Sequence, residues 1–218
     1  MSATTLDLHV HLEPIVDLTS GALDARELLL RPVGGGALPA RAALARVTMS
    51  WVTSYALRAA TAVLETSSVP IHVNITAADL SDPCFVDAVD EIVDADLQPK
   101  LVLEVTEHAE LIDSRVVRST LSALRARGVR FAIDDFGDGW AGEASVGVVL
   151  PEVVKARRQQ LELRSTARAL HRIAFELHVP IVIEQVETAH HLELVRRQGF
   201  PLGQGWYWDD RGEAVGAS

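Results

Sequence analysis

Eight short runs rich in Val, Ile and Leu alternate along this chain with longer segments of helical period. They occupy residues 7–17, 26–31, 70–75, 101–105, 130–134, 152–155, 180–184 and 201–206. Strands that alternate with helices imply a mostly parallel sheet covered by helices. Eight such repeats suggest closure into an α/β barrel of TIM (β/α)8 type, and an open doubly wound sheet is the competing architecture. The helical signals fall between the runs. Pro83, after Ser81 and Asp82, opens a helix with Phe85, Val89 and Ile92 on one face. Another begins after Asp113, shows Val117, Leu121 and Leu124, and stops at Gly128. A third carries Leu163, Ala167, Leu170, Ala174 and Leu177, and a fourth runs from about Thr188 to Gly199. The stretch from Ala40 to Thr66, with Leu44, Val47, Trp51 and Tyr55, reads as one helix or two in sequence.

The polar residues favour the barrel. Asn74, Glu104, Asp134 with Asp135, Lys155, Glu184 and Gln204 each come at or near the downstream end of an apolar run. A barrel gathers its catalytic groups on that face. Glu27, Asn74, Glu104, Asp134 and Asp135 would form an all-oxygen donor set, with no cysteine or histidine among them. Such a set suits hard cations, Mg²⁺ or Mn²⁺ over Zn²⁺. Several carboxylates side by side do not stay ionised without cations between them. Two ions about 3.5–4 Å apart would relieve the repulsion and serve in-line displacement at phosphorus. Lys155 would orient the attacking water or neutralise charge on phosphoryl oxygens. The plainer reading, a strand-end Asp capping the next helix, suits any one of these residues better than all six strands at once.

Composition narrows the classes further. With 218 residues, 48% hydrophobic, the chain reads as one domain over residues 1–218. The net charge of −10 argues against a nucleic-acid polymer or an anionic membrane as the main partner. It leaves room for a small anionic ligand at a site made locally positive by bound cations. Cys84 is the sole cysteine, which excludes an intrachain disulfide and a thiolate metal cluster. No basic segment followed by an apolar one opens the sequence, and no apolar run approaches a membrane span, so a cytoplasmic location is expected. Only Lys100 and Lys155 are lysines, so either can serve a role that arginine cannot.

The pair His9 and His11 on the first strand resembles the opening of an amidohydrolase metal site. That site needs further strand-end histidines and an aspartate on the last strand. Here His72, His108, His171, His178, His190 and His191 fall mostly in loops or helices, and the eighth strand offers Gln204. His190 and His191 are adjacent and would face about 100° apart on a helix. Trp140, Trp206, Tyr207 and Trp208 could stack a purine face, although packing is the commoner use of such residues.

Beyond the spacing, the sequence resembles the EAL domain family of bacterial cyclic di-GMP phosphodiesterases over nearly its whole length. "LEPIVDL" is similar to the family's QPIVDL, "RELLLRP" to EALLR, "HVNIT" to VNLS and "LVLEVTE" to LELTE. "FAIDDFGDGW" resembles DDFGTGY, "VVKAR" stands where the family has LKID, "IVIEQVET" resembles VAEGVET and "GQGWYW" resembles QGYL. The intervals agree too: 21 residues from Asp134 to Lys155 and 20 from Glu184 to Gln204. The resemblance implies a modified TIM barrel that hydrolyses cyclic di-GMP to linear pGpG with two Mg²⁺ or Mn²⁺ ions and is able to form a homodimer. It implies that Glu27, Asn74, Glu104 and Asp134 ligate metal and that Asp135 bridges or binds the second ion. Lys155 would act on the nucleophilic water, Glu184 would position water or metal, and Glu187 would support Lys155. Gln204 would complete the pocket, Arg31 would contact phosphate, and Glu107 would hold the loop after the aspartate pair.

Five departures stand out. Leu28 replaces the alanine of Glu-Ala-Leu, and Glu13 stands where a glutamine helps hold the substrate. The loop reads "GDGWAGE" against GTGYSS, "KAR" replaces KID, and Gln185 replaces the glycine of EGVET. The segments after "LRP" and after Lys155 are also several residues short. The alternative reading is therefore a degenerate module that binds cyclic di-GMP or a protein partner without turnover.

Overall fold

The computed structural model describes residues 8–32, 49–106, 114–138 and 143–209. Eight strands form one closed barrel in sequential order: β1 (Leu8–Asp17), β2 (Leu23–Pro32), β3 (Ile71–Thr76), β4 (Leu101–Thr106), β5 (Arg130–Ile133), β6 (Val153–Arg157), β7 (Ile181–Glu184) and β8 (Leu202–Gln204). Neighbours from β2 to β8 are parallel, whereas β1 runs antiparallel to both β2 and β8.

That reversal corrects the expectation of a helix after every strand. Residues 18–22 are a tight turn, because Asp17 Oδ1 accepts from Thr19 N, Ser20 N and Ser20 Oγ at 2.7–2.9 Å while Gly21 takes φ 76°. A glycine at positive φ and a carboxylate folded onto the following amides make a turn, and so few residues cannot make a crossover helix.

The helices are α1 (Met49–Thr66), α2 (Pro83–Asp94), α3 (Arg115–Ala126), α4 (Glu143–Val149), α5 (Arg164–Leu177), α6 (Ala189–Arg197) and the short α7 (Trp206–Asp209). Their starts follow local chemistry. Asp82 caps α2 by accepting from Cys84 N at 2.8 Å, Ser114 caps α3 through Val117 N at 3.1 Å, and Thr188 caps α6 through His191 N at 3.2 Å. Gly128 and Gly199 follow the ends of α3 and α6 at φ 90° and 79°. The buried face of α5 is narrower than its periodicity suggests. Leu170 and Ile173 are buried, while Leu163 and Leu177 at its two ends and Phe175 on its outer side are exposed, so only the middle of the helix meets the sheet. In α1 the packed residues are Ala56, Leu57, Ala60 and Leu64, with Tyr55 turned outward. Leu44, Val47 and the triple glycine at 34–36 lie outside the described residues, as does the tail from Arg211 to Ser218.

Alternation along each strand separates two environments. Outward residues such as Val73, Leu103, Phe131, Val154 and Ile183 join the large cluster that packs the sheet against the helices. Inward, a small plug of Ile15, Ala25, Val182 and Leu202, with Val153 against it, fills the base of the barrel. Register then places polar side chains above the plug: Glu27 lies beside His72, Asn74 beside Glu104, and Gln204 beside Ile15.

Candidate active site at the barrel mouth

Lys155 is the centre of this polar layer. Its Nζ lies 2.8 Å from Glu27 Oε2, 2.8 Å from Glu104 Oε2 and 2.9 Å from Glu184 Oε1, and the lysine is fully buried. An ammonium has three donors, and three carboxylates take them. Burial alone would pull Lys155 down, but Glu104, Glu184, Glu27 and Asp134 hold it well above the ordinary lysine value. Glu27 is held still more tightly: Asn74 Nδ2 donates to Oε1 at 2.5 Å and Gln204 Nε2 to Oε2 at 2.6 Å. Burial opposes its ionisation, yet Lys155, Gln204 and Asn74 together keep it below the usual glutamate range. Strands β2, β3, β4, β6, β7 and β8 thus each contribute a residue to one connected cluster.

Glu104 behaves differently. Its Oε1 lies 2.6 Å from Nδ1 of the buried His72, and burial together with the charge of Glu27 pushes it up to about 8. Burial, aided by Lys155, lowers His72 to about 3, so the imidazole stays neutral at any physiological pH. His72 is a member of the site that sequence reasoning set aside. The signal was its position two residues before Asn74, which puts both on one face of β3.

Asp134 and Asp135 follow β5, and both lie at the mouth. Burial raises Asp134 well above the usual value, and the nearby charges of Glu184, Glu104 and Glu27 add to the shift. Asp135 takes φ 53°, and its amide turns back to Asp134 Oδ1 at 2.8 Å. Its carboxylate is engaged from the neighbouring strand β6: Arg157 Nε donates to Asp135 Oδ1 at 2.7 Å, and Arg157 Nη2 pairs with Asp138. Gln160 donates to Asp138 as well. Gly137, at φ 93°, sits where a Cβ would meet Thr166 Cγ2 at 2.8 Å, so the turn from 135 to 138 is pressed against the start of α5.

The mouth opens into a cavity of about 380 Å³ lined by Glu13, Glu27, Leu29, Glu184, Gln185, Glu187, Gln204, Gly205 and Trp206. Glu13 pairs in register with Glu27 across β1 and β2. Glu187 is exposed at the lip, whereas the carboxylates on Lys155 are those of Glu27, Glu104 and Glu184. Trp206 stands out as a 69% exposed indole on the rim. Arg31 lines a neighbouring cavity of about 250 Å³, together with Asn74, Thr76 and Thr106. Glu107, His108 and Trp140 lie outside the described residues, as do 139–142 of the altered loop. Gln185 is left-handed at φ 59°, the conformation in which a glycine has no steric penalty. Gly205 is at φ 142°, and a Cβ there would fall 2.6 Å from Val186 N and O. Val186 N and Gln204 O are bonded at 3.0 Å, and Tyr207 N and Val186 O at 3.0 Å, so the ends of β7 and β8 are joined at that glycine.

These residues fit a hard divalent cation. Asp134, Asp135 and Glu184 can bring one oxygen each within 4.8 Å of the others. Gln204, 2% exposed, has an Oε1 without a hydrogen-bond partner among the described residues. A buried carbonyl oxygen left open beside carboxylates is the kind of ligand that Mg²⁺ and Mn²⁺ accept. His9 is exposed and His11 half-buried on β1, and neither belongs to this oxygen cluster.

Comparison with known proteins agrees with this geometry. The EAL domain model matches residues 3–210. A cyclic di-GMP phosphodiesterase of Pseudomonas aeruginosa, PA2567, is 28% identical over 91% of this chain and 37% of its own length. Another from the same organism, NbdA, is 30% identical over 91% of this chain and 28% of its own. The chain therefore spans about a third of the length of these curated relatives. Among solved structures, the PaMucR phosphodiesterase in complex with cyclic di-GMP superimposes with a TM-score of 0.73 at 29% identity, covering 91% of this chain and 94% of that one. BlrP1 of Klebsiella pneumoniae, a calcium and cyclic di-GMP complex, gives 0.75 at 25% identity over 94% of this chain and 57% of that one. With a closed barrel whose first strand runs backwards, a mouth lined by carboxylates around one lysine, and a family match over almost every residue, the chain belongs to the EAL domain family.

Proposed function

We propose that this chain is a metal-dependent phosphodiesterase that hydrolyses cyclic di-GMP to linear pGpG. The observation that carries the reading is the buried Lys155 held among Glu27, Glu104 and Glu184, with Asn74 and Gln204 fixing Glu27 from either side. Relatives named as cyclic di-GMP phosphodiesterases and a neighbour bound to cyclic di-GMP support it. The pocket itself carries Glu13, Glu27, Glu184 and Glu187, so an anionic ligand needs cations there. Glu27, Asn74, Glu104 and Asp134 would hold one; Asp135, implied for a second, is engaged by Arg157. A bound Mg²⁺ or Mn²⁺ supplies Lewis acidity, which activates water and stabilises the departing oxygen.

The protein's own part is positioning and charge. Lys155 places a fixed positive charge beneath the pocket, and reaching water or a phosphoryl oxygen requires it to exchange one of its three carboxylates. Gln204 and Asn74 keep Glu27 from turning away as that exchange occurs. Trp206 presents an indole face at the rim, suited to stacking a guanine. Water adds to phosphorus and one ring P–O bond breaks, giving a phosphomonoester at one end and a hydroxyl at the other.

A second reading, a receptor that binds cyclic di-GMP without turnover, is favoured by the ion pair on Asp135 and the left-handed Gln185. Hydrolysis and binding measured on the same purified samples separate the two. The phosphodiesterase reading expects pGpG from the wild type with Mn²⁺, and product below detection in Lys155→Ala and in metal-free buffer. Binding with no product leaves the receptor.

A further inference from the structure

Arg157 lies two residues after Lys155 on β6, so the two cations share the inward face of one strand. One reaches the buried carboxylates and the other reaches the turn after β5. Its guanidinium is anchored at two points, Nε on Asp135 Oδ1 at 2.7 Å and Nη2 on Asp138. These are the first and last residues of the turn, whose backbone closes through Asp138 N to Asp135 O at 3.0 Å. Arg157 thus clamps the turn at the barrel mouth, where it and both carboxylates are partly exposed, and Gln160 supports Asp138 from the following 3₁₀ segment.

Asp134, Asp135 and Glu184 can place one oxygen each within 4.8 Å of the others, a spacing able to hold a cation. On the Asp135 side that cation is already covalently part of the chain. A guanidinium does not lose its proton in a protein, and its planar fork spans two carboxylates as a metal ion would. A divalent ion bound through Asp135 would have to sit against this fixed positive charge or displace it from both carboxylates. The buried Glu27 and Glu104 and the half-buried Asn74 and Asp134 have no hydrogen bond or ion pair with Arg157, whose carboxylate partners are Asp135 and Asp138, so an ion held from that side meets no such competition.

We propose that Arg157 takes the place of one divalent cation at the barrel mouth, so that this chain binds a single Mg²⁺ or Mn²⁺ where the Asp135 side would otherwise hold another. The inference rests on the metal-dependent reading above, and it concerns the count of ions, not whether they bind.

Mn²⁺ binding to the chain, followed by calorimetry and by electron paramagnetic resonance, tests it. The wild type is expected to bind one ion and to show an uncoupled Mn²⁺ spectrum. Arg157→Asp and Arg157→Ala are expected to bind two, and Arg157→Asp to show the spin coupling of neighbouring ions. Arg157→Lys, which keeps the charge, is expected to remain at one. Two ions in the wild type would overturn the inference without any variant having to fold. Variants that melt like the wild type and still bind one ion would overturn it too. No ion in the wild type would sink the metal-dependent reading itself, an outcome distinct from both.

Discussion

Leu103 and Glu104 are neighbours on β4, both inaccessible to solvent, and they live in opposite worlds. Leu103 faces the helices and joins the large apolar cluster; Glu104 faces the barrel axis between Lys155 and His72. The same division runs through β3, where Val73 packs outward and His72 and Asn74 point in. Stability and chemistry are therefore assigned to alternate residues of the same strands. At the base the inward face turns apolar, where Ile15, Ala25, Val182 and Leu202 close the floor beneath the charges.

The sharpest way to break this comparison is to substitute each neighbour alone. Glu104→Gln should reduce hydrolysis by about 100-fold or more, on the scale of losing an electrostatic group at a reacting centre. Its metal-free stability should change by no more than about 1 kcal/mol, because a carboxyl raised to about 8 is already protonated at pH 7. Leu103→Ala should do the reverse, losing about 2–5 kcal/mol in denaturant unfolding while the folded fraction keeps its turnover. Equal loss of activity in both would show that the two faces are not separable.

The inward pair also predicts a pH signature of the metal-free protein. His72 is held at about 3 against an ordinary 6.5, so its contribution is complete above 6.5 and is lost as pH falls toward 3. Glu104 is held at about 8 against an ordinary 4.5, so its contribution is complete below 4.5 and is lost as pH rises through 8. Between 4.5 and 6.5 the two slopes oppose each other. His72→Gln removes one of them, and its stability relative to wild type should change by about 1.4 kcal/mol per pH unit in that window. Thermal or urea melts at several pH values read this directly, and a difference that does not vary with pH would refute the pairing.

The pocket rim should respond more mildly. Trp206→Ala is expected to weaken cyclic di-GMP binding by about 1–3 kcal/mol, the range for a base stacked on an aromatic ring, with little change in melting. Titration calorimetry checks it. Gln185→Gly should stabilise the fold by about 0.5–1 kcal/mol, since glycine carries no penalty at φ 59°. A loss of stability there would mean that the Gln185 side chain makes up for its strained backbone.

Much of this was legible in the residues themselves. Asn74, Glu104, Lys155 and Gln204 interrupt or end apolar runs, and a polar residue in such a run has few reasons to be there. The eight strands were legible for the same cause, since Val, Ile and Leu in short blocks have no other comfortable fate. What sequence did not yield was the pairing of side chains between neighbouring strands. His72 against Glu104 and Arg157 against Asp135 join residues 32 and 22 positions apart, and only strand register brings them together. The antiparallel β1 was hidden for a different reason: a five-residue turn capped by Asp17 resembles any other loop until its hydrogen bonds are seen.

Gly205 carries a consequence for how such a sequence can drift. At residue 185 glutamine stands where the EAL pattern has glycine, in a left-handed backbone that glycine would adopt without steric penalty. At residue 205 the same replacement would drive a carbon into the Val186 main chain, which has no flexible end to yield. The two lips of one pocket are thus unequal before mutation: one admits variety at a small thermodynamic cost, and the other is closed to every side chain for as long as β7 and β8 stay joined.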